Sequence, residues 1–228
     1  MEKNILIDFH AHILPGMDHG CEDLAMSLAQ LRMAVEQNID LVIATSHFYP
    51  HVESVASFLH RRQDAWDKLQ IPPRVEYPAI KLGAEVLVCN NIHKMEGIEE
   101  LCVEHSKVLL VEMPLSRQWE PNLIDTVVCL REDKGLEVII AHGERYPVVE
   151  MEKLLSLGFQ TQLNVSSTAA LFPSKFVRSC IKRQCVAALG SDIHGLHNSY
   201  KEFTQTMKKW GKTADCIMET TRRLVTEQ

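Results

Sequence analysis

Side chains that bind metal ions recur near the carboxyl ends of the β-strands that this sequence predicts. His10 and His12 stand two residues apart at the first strand, so both imidazoles can reach one ion. Asp192 and His194 repeat that spacing after the last strand. Imidazole nitrogens together with carboxylate oxygens suit zinc, manganese or iron. Candidate ligands follow six of the seven predicted strands: His10, His12, His47, Glu85, Glu112, His142, Asp192 and His194.

Each of these residues also has an ordinary explanation. A lone histidine after a strand is more often a hydrogen-bonded polar residue than a metal ligand. Glu85 and Glu112, however, stand in apolar runs, where an ionised carboxylate is costly unless it is paired or bound to metal. The recurrence after separate strands, rather than any single residue, favours a metal cluster.

The predicted elements that carry these residues alternate between strand and helix. Strands are expected at 5–9, 41–44, 81–86, 108–111, 137–141, 161–164 and 186–190, and helices at 22–37, 52–69, 121–134, 174–183, 200–210 and 213–226. Such alternation predicts parallel βα units, and no G-x-G-x-x-G follows the first strand to indicate a dinucleotide-binding fold. Seven strands in 228 residues favour a compact barrel, in which the carboxyl ends of the strands form one face. The Pro-containing stretch 70–78 is interpreted as a loop within a single domain, 1–228.

Composition and charge exclude several other classes of protein. The net charge of −6 argues against an extended nucleic-acid surface, and no apolar run is long enough to span a membrane. The amino terminus lacks the pattern of a signal peptide. Seven cysteines without a C-x-x-C pair indicate thiols in a reducing compartment, so the expected location is the cytoplasm.

The segment DFHAHILPGMDHG at 8–20 resembles the leading motif of the PHP superfamily (polymerase and histidinol phosphatase). The chain is most similar to the bacterial PHP-type protein-tyrosine phosphatases of capsule and exopolysaccharide gene clusters. The supporting segments run in the family's order over nearly the whole chain: ATSH at 44–47, GAE at 83–85, EMP at 112–114, AHGERY at 141–146 and GSDIH at 190–194.

The resemblance implies a distorted, TIM-barrel-like, seven-stranded β/α barrel that holds up to three metal ions. Manganese is the expected ion, with iron or zinc as alternatives. The implied ligands are His10, His12, Glu85 and Asp192 for the first ion, a bridging Glu85 with Glu112 and His142 for the second, and His19, His47 and His194 for the third.

Three departures from the family pattern bear on the substrate. The usual Asp-Asp-Gly is Asp18-His19-Gly20, which leaves open whether Asp18 or His19 is the third-metal ligand. The usual Ala-Thr-Pro-His-His becomes Ala-Thr-Ser-His-Phe at 44–48, and Gly143 replaces the proline of His-Pro-Glu-Arg-Tyr. The family's phosphate-binding arginine near the carboxyl terminus has no clear equivalent, and Lys201 or His197 is the candidate for that role.

The expected chemistry is in-line attack on a phosphomonoester by metal-bound hydroxide, because bound ions lower the pKa of water. Arg145 is the candidate bidentate phosphate ligand. His194 or His47 is a candidate proton donor to the leaving oxygen, although a ligand role competes, so the general acid stays unassigned. A rival Cys-x5-Arg spacing joins Cys216 to Arg222, but the segment contains no glycine and is typical of an amphipathic helix.

The function implied by the resemblance is hydrolysis of protein phosphotyrosine in the regulation of capsular or exopolysaccharide biosynthesis. The implied partner is a phosphotyrosine-bearing protein, with a bacterial tyrosine kinase of polysaccharide export as the candidate. Two alternatives are open: a phosphatase acting on a small metabolite such as histidinol phosphate, and a non-catalytic metal-binding regulatory module. Glu112 argues against the first, because other PHP branches tend to place histidine there, and the filled ligand positions argue against the second.

Overall fold

Parallel strands form the centre of the protein. The computed structural model describes residues 5–69, 77–196 and 200–226. Nine strands lie within them: β1 (Ile7–Ala11), β2 (Leu41–Ala44), β3 (His47–Phe48), β4 (Ala79–Leu82), β5 (Glu85–Leu87), β6 (Val108–Glu112), β7 (Glu137–Ile140), β8 (Gln160–Asn164) and β9 (Val186–Gly190). They form a three-stranded sheet, β1-β2-β4, and a six-stranded sheet, β3-β5-β6-β7-β8-β9, and each pairing is parallel. The predicted parallel α/β fold is confirmed.

The prediction of one continuous strand at 81–86 is wrong, because the chain breaks at Gly83 and Ala84 and changes sheet. The second predicted strand is likewise followed, after two residues, by the unpredicted β3. Both breaks are held together by backbone bonds, since the Gly83 N–H donates to Ala44 O at 2.9 Å and the Glu85 N–H donates to Ser46 O at 3.0 Å. The shift sets His47 directly opposite Glu85 in the new sheet.

The helices within the described ranges follow the carboxyl ends of the strands. They are α1 (Leu24–Glu36), α2 (Val55–Lys68), α3 (Pro121–Glu132), α4 (Val148–Ser156), α5 (Val165–Ala169), α6 (Lys175–Lys182), α7 (Lys201–Trp210) and α8 (Lys212–Thr226), with short 3₁₀ turns at Ile92–Lys94, Ile98–Leu101 and Gly143–Arg145. The predicted starts of α1, α2 and α6 are one to three residues early, because Asp23, Ser54 and Ser174 cap these helices with their side chains. Helices α4 and α5 were not predicted.

Strand β1 shows why polar residues enter the core. Its residues are all buried, with Ile7, Phe9 and Ala11 on one face and Asp8 and His10 on the other. The second face is therefore a buried polar surface, which directs His10 towards the site. Within the described residues, no helix is long and apolar enough to cross a membrane. Of the predicted loop at 70–78, residues 70–76 lie outside the described ranges.

Candidate metal centre

Four buried imidazoles surround the carboxylate of Glu85. Its Oε2 lies 3.2 Å from His10 Nε2, 3.4 Å from His12 Nε2 and 3.0 Å from His47 Nδ1. Its Oε1 lies 2.8 Å from His142 Nε2. Burial opposes ionisation of this carboxyl, but the neighbouring imidazoles, His10 above all, hold the pKa of Glu85 well below its usual range. Three separate segments of the chain thus bring imidazoles to one carboxylate.

Asp192 closes the cluster on the side of β9. Its Oδ1 lies 3.6 Å from Nε2 of both His10 and His12, and 3.4 Å from His194 Nδ1. Although burial works in the opposite direction, the charges of His10 and then Arg145 lower the pKa of Asp192 to about 2. An ionised carboxylate therefore faces the two imidazoles of the first strand.

Glu112 and His142 extend the cluster towards β6 and β7. Glu112 Oε1 lies 3.7 Å from His142 Nε2. Burial, followed by the adjacent Glu85 carboxylate, raises the pKa of Glu112 to about 7. One carboxylate oxygen of Glu112 lies within 4.8 Å of one of Glu85. Two carboxylates this close repel each other, and a cation between them would relieve the repulsion.

His47, His194 and His19 stack around the outer side of His12. The ring centroids of His12 and His194 are 4.0 Å apart, and the exposed His19 ring lies 4.7 Å from His47 and 4.5 Å from His194. Burial and then the His12 charge lower the pKa of His194 to about 4. His194 is therefore neutral at pH 7, with a lone pair available for coordination.

Asp18 supports the cluster from behind. One of its carboxylate oxygens accepts from His12 Nδ1 at 2.9 Å and from the His47 N–H at 3.0 Å, and the other accepts from the Gly20 N–H at 2.9 Å. Asp18 thereby orients His12 so that Nε2 faces Glu85. Each oxygen of Asp18 thus accepts at least one hydrogen bond from the residues around it.

Gln162 and Asn164 on β8 are functional residues that the sequence reasoning missed. Gln162 Oε1 lies 3.1 Å from His10 Nδ1 and accepts from the His142 N–H at 2.7 Å. Asn164 Nδ2 donates to Asp192 Oδ2 at 3.0 Å. Strand β8 is the strand without a predicted ligand, and its amides orient the ligands of its neighbours. The available signal was two amides spaced i, i+2 inside an otherwise buried strand.

The donor atoms fit a cluster of divalent cations. The side-chain donor atoms of three sets lie within 4.8 Å of one another: His10, His12 and Asp192; His12, His47 and His194; and His47, Glu85 and Glu112. Glu85 Oε2, His47 Nδ1, His142 Nδ1 and His194 Nε2 are buried and have no hydrogen-bond partner. Such atoms are costly unless something else satisfies them, and a coordinated cation does so. Nitrogen and oxygen donors without thiolate suit manganese, iron or zinc.

Arg145 lies at the open side of this cluster. Its guanidinium is 44% exposed and donates to Asp192 Oδ2. The 3₁₀ turn that carries it begins after His142, whose backbone adopts the left-handed region with φ 31°. The next position, 143, favours glycine, because a Cβ there would overlap Thr161 Oγ1. The Gly143 N–H donates to that same oxygen at 3.2 Å. The packing around position 143 in this chain therefore accommodates glycine, where the family pattern has proline.

The remaining candidates are Cys216, Lys201 and His197. Cys216 is exposed on α8, and Arg222 pairs with Glu219 one turn away on the same helix, so the Cys-x5-Arg spacing forms no phosphate loop. Lys201 is exposed at the first residue of α7. His197 lies outside the described residues.

A parallel α/β fold with imidazole and carboxylate donors gathered near the carboxyl ends of its strands defines a class of α/β proteins with a candidate metal-binding site. Within that class, the chain belongs to the family described as "Capsular polysaccharide synthesis, CpsB/CapC", whose model matches residues 6–224. The predicted resemblance to the capsule-cluster branch is confirmed.

Individual relatives agree with this family. The chain is 25% identical over 201 residues to the tyrosine-protein phosphatase YwqE of Bacillus subtilis (strain 168), covering 84% of this chain and 78% of the relative. Its fold is similar to that in the crystal structures of YwqE from B. subtilis and CpsB from Streptococcus pneumoniae, described as metal-dependent tyrosine phosphatases, with TM-score 0.77, 23% identity and coverage of 98% and 95%. A β-aspartyl dipeptidase from Fervidobacterium islandicum AW-1 is a more distant fold neighbour, with TM-score 0.55, 10% identity and coverage of 96% and 72%.

Proposed function

We propose that this protein is a metal-dependent phosphatase that removes phosphate from phosphotyrosine in proteins. The observation that carries the proposal is the convergence of buried, unpartnered donor atoms around Glu85, beside the partly exposed guanidinium of Arg145. The relatives named as tyrosine phosphatases support the reaction, and the family description supports a role in capsular or exopolysaccharide synthesis.

The ligand set of the proposal has three parts. His10, His12, Glu85 and Asp192 would hold one ion; Glu85, Glu112 and His142 a second; and His19, His47 and His194 a third. The donor atoms of His10, His12 and Asp192 lie within 4.8 Å of one another, which supports the first ion; the sets His47, Glu85, Glu112 and His12, His47, His194 each share two members with the second and third. His142 Nε2 lies 2.8 Å from Glu85, and the His19 ring lies 4.7 Å from His47 and 4.5 Å from His194, which supports their addition. Asp18, Gln162 and Asn164 orient the ligands from behind. Manganese is the proposed ion because the family resemblance implies it, and mixed imidazole and carboxylate donors are compatible with it.

The reaction divides between the ions and the chain's own residues. Divalent ions, when bound, lower the pKa of coordinated water and draw charge from phosphoryl oxygens. Arg145 would bind two phosphoryl oxygens, and its bond to Asp192 orients it. The lowered pKa of His194 supports a ligand role over proton donation. The general acid stays unassigned, and a phenolate leaving group reduces the need for one.

The proposal also includes a partner protein and a cellular location. The partner would be a phosphotyrosine-bearing protein, with a bacterial tyrosine kinase of polysaccharide export as the candidate, and the location would be the cytoplasm. The family description and the lack of a membrane-spanning helix in the described ranges are compatible with this.

The proposed architecture is one domain, 1–228, built as a distorted seven-stranded barrel. The division of the strand predicted at 81–86 and the unpredicted β3 after β2 account for two of the nine observed strands. Backbone bonds also run between the two ends of the sheet order: Asp192 N–H donates to His10 O at 2.7 Å, and His12 N–H donates to Ile193 O at 3.3 Å. These bonds bring β1 beside the end of β9, as closure of a barrel requires.

Metal-dependent turnover tests the function. Purified protein is stripped with a chelator and assayed on a phosphotyrosyl peptide and on histidinol phosphate, before and after Mn²⁺ is added, beside His142→Ala and Cys216→Ser variants. We expect turnover of the phosphotyrosyl peptide that requires metal, is lost in His142→Ala and persists in Cys216→Ser. A preference for histidinol phosphate would contradict the proposal that the substrate is a phosphoprotein. Inactivity with every metal tested would contradict the proposal that the protein is a phosphatase.

A further inference from the structure

A second group of potential metal ligands shares no residue with the candidate metal centre. One donor atom from each of His93, Cys129 and Asp133 lies within 4.8 Å of the other two, and we call these three residues the thiol site. His93 lies in the 3₁₀ turn Ile92–Lys94 after β5, Cys129 lies in the last turn of α3, and Asp133 is the C-cap residue of that helix. Cys129 and Asp133 share one face because they are four residues apart. The thiol site therefore joins two elements that are separate along the chain.

The turn and the helix that carry the thiol site are packed against each other. The Asn91 N–H donates to Thr126 Oγ1 at 3.3 Å, and Thr126 is buried on α3. Ile92, in the same turn, is buried in the hydrophobic core. The Asp133 N–H donates to Cys129 O at 2.9 Å, which holds these two ligands one helical turn apart. The three donors are thus supported by ordered backbone.

His93 has a ring nitrogen that no described residue satisfies. Its Nδ1 is buried and has no hydrogen-bond partner. A buried polar atom in this state is costly, and coordination of a cation through Nδ1 would remove that cost. The thiol site differs in this respect from a surface pair such as His60 and Asp64, which lie 3.2 Å apart with side chains 78% and 54% exposed.

The charges around the thiol site favour a cation. Burial and then the Asp133 carboxylate raise the pKa of the Cys129 thiol. Asp125, one turn earlier on α3, acts in the same direction and outweighs the opposing charge of Lys94. The carboxyl end of α3 also carries the negative end of the helix dipole. A divalent cation at this position would therefore meet a negative potential.

The ligand types of the thiol site select zinc. Sulfur is a soft ligand, and zinc binds thiolate, imidazole and carboxylate at about 2.0–2.3 Å in a tetrahedron. Its ligand atoms then stand about 3.5 Å apart, so movements of about 1 Å would bring the present donors into place. A cavity of about 250 Å³ beside His93 and Cys129, with Asn122 and Asp125 in its wall, leaves room for water as the fourth ligand. The ligands assigned to the candidate metal centre, by contrast, include no sulfur.

We infer that His93, Cys129 and Asp133 bind one zinc ion, which fastens the turn after β5 to α3. This turn lies in the connection between β5 and β6, the strands that carry Glu85 and Glu112. Zinc at the thiol site would stabilise this connection without taking part in phosphate hydrolysis. The inference is therefore independent of the proposed function.

Cobalt absorption tests the ligands directly, because Co²⁺ replaces zinc and gives an intense near-ultraviolet band when a thiolate binds it. The full chain is stripped with a chelator and titrated with Co²⁺, beside Cys129→Ser, His93→Ala and Asp133→Asn variants. The matched controls are Cys216→Ser, which removes an exposed cysteine, and His60→Ala, which removes an exposed histidine. We expect the band in the wild type and both controls and its loss in Cys129→Ser. Co²⁺ affinity should fall at least about tenfold in the other two variants.

The absence of a thiolate band in the wild type, or its persistence in Cys129→Ser, would overturn the thiol site. Asp133→Asn changes an exposed side chain, so it supplies the test if Cys129→Ser fails to fold. Affinity equal to that of the wild type in Asp133→Asn would also overturn the assignment. Phosphatase activity enters none of these measurements, so their failure leaves the proposed function standing.

Thermal melts test whether zinc fastens the turn to α3. At a free Zn²⁺ concentration of about 100 times the Kd of the thiol site, the rise in Tm should be about 5–11 °C larger in the wild type than in Cys129→Ser. Zinc bound at the candidate metal centre contributes equally to both proteins and cancels in this difference. An equal rise in the two proteins would overturn the inference that zinc at the thiol site fastens the two elements.

Discussion

Replacing Glu85 with glutamine removes the charge at the centre of the cluster and leaves its shape nearly unchanged. The carboxylate lies within 3.4 Å of His10, His12 and His47 and 2.8 Å from His142, and it is 1% exposed. An amide retains hydrogen-bonding capacity towards the imidazoles but loses one ligand oxygen and one negative charge. The variant therefore reports on metal binding more directly than on packing.

The expected loss of metal affinity follows from the charges. Two unit charges 4 Å apart interact by about 4 kcal/mol at an effective dielectric of 20, so a carboxylate and a divalent ion interact by about 8 kcal/mol. Desolvating the buried carboxylate costs several kcal/mol in return, about 5 kcal/mol here. The remaining ~3 kcal/mol corresponds to a roughly hundredfold weaker Kd.

Thermal melts convert this loss into a measurable shift. At a free Mn²⁺ concentration of about 100 Kd, one bound ion stabilises the wild type by about 2.7 kcal/mol, and a hundredfold weaker site by about 0.4 kcal/mol. For a chain of this size, 1 kcal/mol shifts Tm by about 2–4 °C. The metal-induced rise in Tm should therefore fall from about 5–11 °C in the wild type to about 1 °C in Glu85→Gln.

The matched control is Glu150→Gln, because Glu150 is also a buried glutamate but pairs with Lys153 at 2.8 Å on α4. Its melting temperature changes equally with and without metal, so its metal-induced rise stays that of the wild type. If Glu85→Gln also kept the full rise, Glu85 would be a structural carboxylate and the assigned metal centre would be wrong.

Three other substitutions probe the surroundings of the cluster. Arg145→Lys should raise KM for a phosphotyrosyl peptide about tenfold with little change in Tm, because a half-exposed lysine cannot bind phosphate bidentately. Gly190→Ala should lower stability by about 1–3 kcal/mol in urea unfolding and reduce turnover, since the new Cβ would stand 2.5 Å from His10 Cβ. Gly143→Pro should also cost about 1–3 kcal/mol, because it loses the N–H bond to Thr161 and overlaps that side chain. Adding Thr161→Ala should recover part of that loss.

Each of these has an outcome that contradicts it. An unchanged KM in Arg145→Lys would mean that Arg145 only pairs with Asp192. Gly135→Ala is the control for turnover, since nothing lies within 4 Å of a Cβ there. Its φ of +66° makes alanine strained, so it should lose some stability while its turnover matches the wild type. Turnover in Gly190→Ala equal to that control would show that His10 tolerates displacement. A Gly143→Pro variant as stable as the wild type would show that Thr161 does not select glycine.

The residue types and their spacing determine which groups are available to form the candidate site. His10 and His12 share a face because side chains alternate in a strand, and Asp192 and His194 repeat that geometry. Alternation of strand and helix determined that the strands run in parallel, and parallel strands direct their carboxyl ends to one face. Local periodicity therefore accounts for which groups meet.

Tertiary structure alone decided how those groups are held. The division of the predicted strand at 81–86 depends on hydrogen bonds to Ala44 and Ser46, which lie distant in sequence and leave no local signal. Gln162 supports His10 across 152 positions of the chain. Asp18 positions His12 because one of its oxygens accepts from both His12 Nδ1 and the His47 N–H. Short-range patterns determine the chemistry available, whereas long-range contacts determine its orientation and exposure.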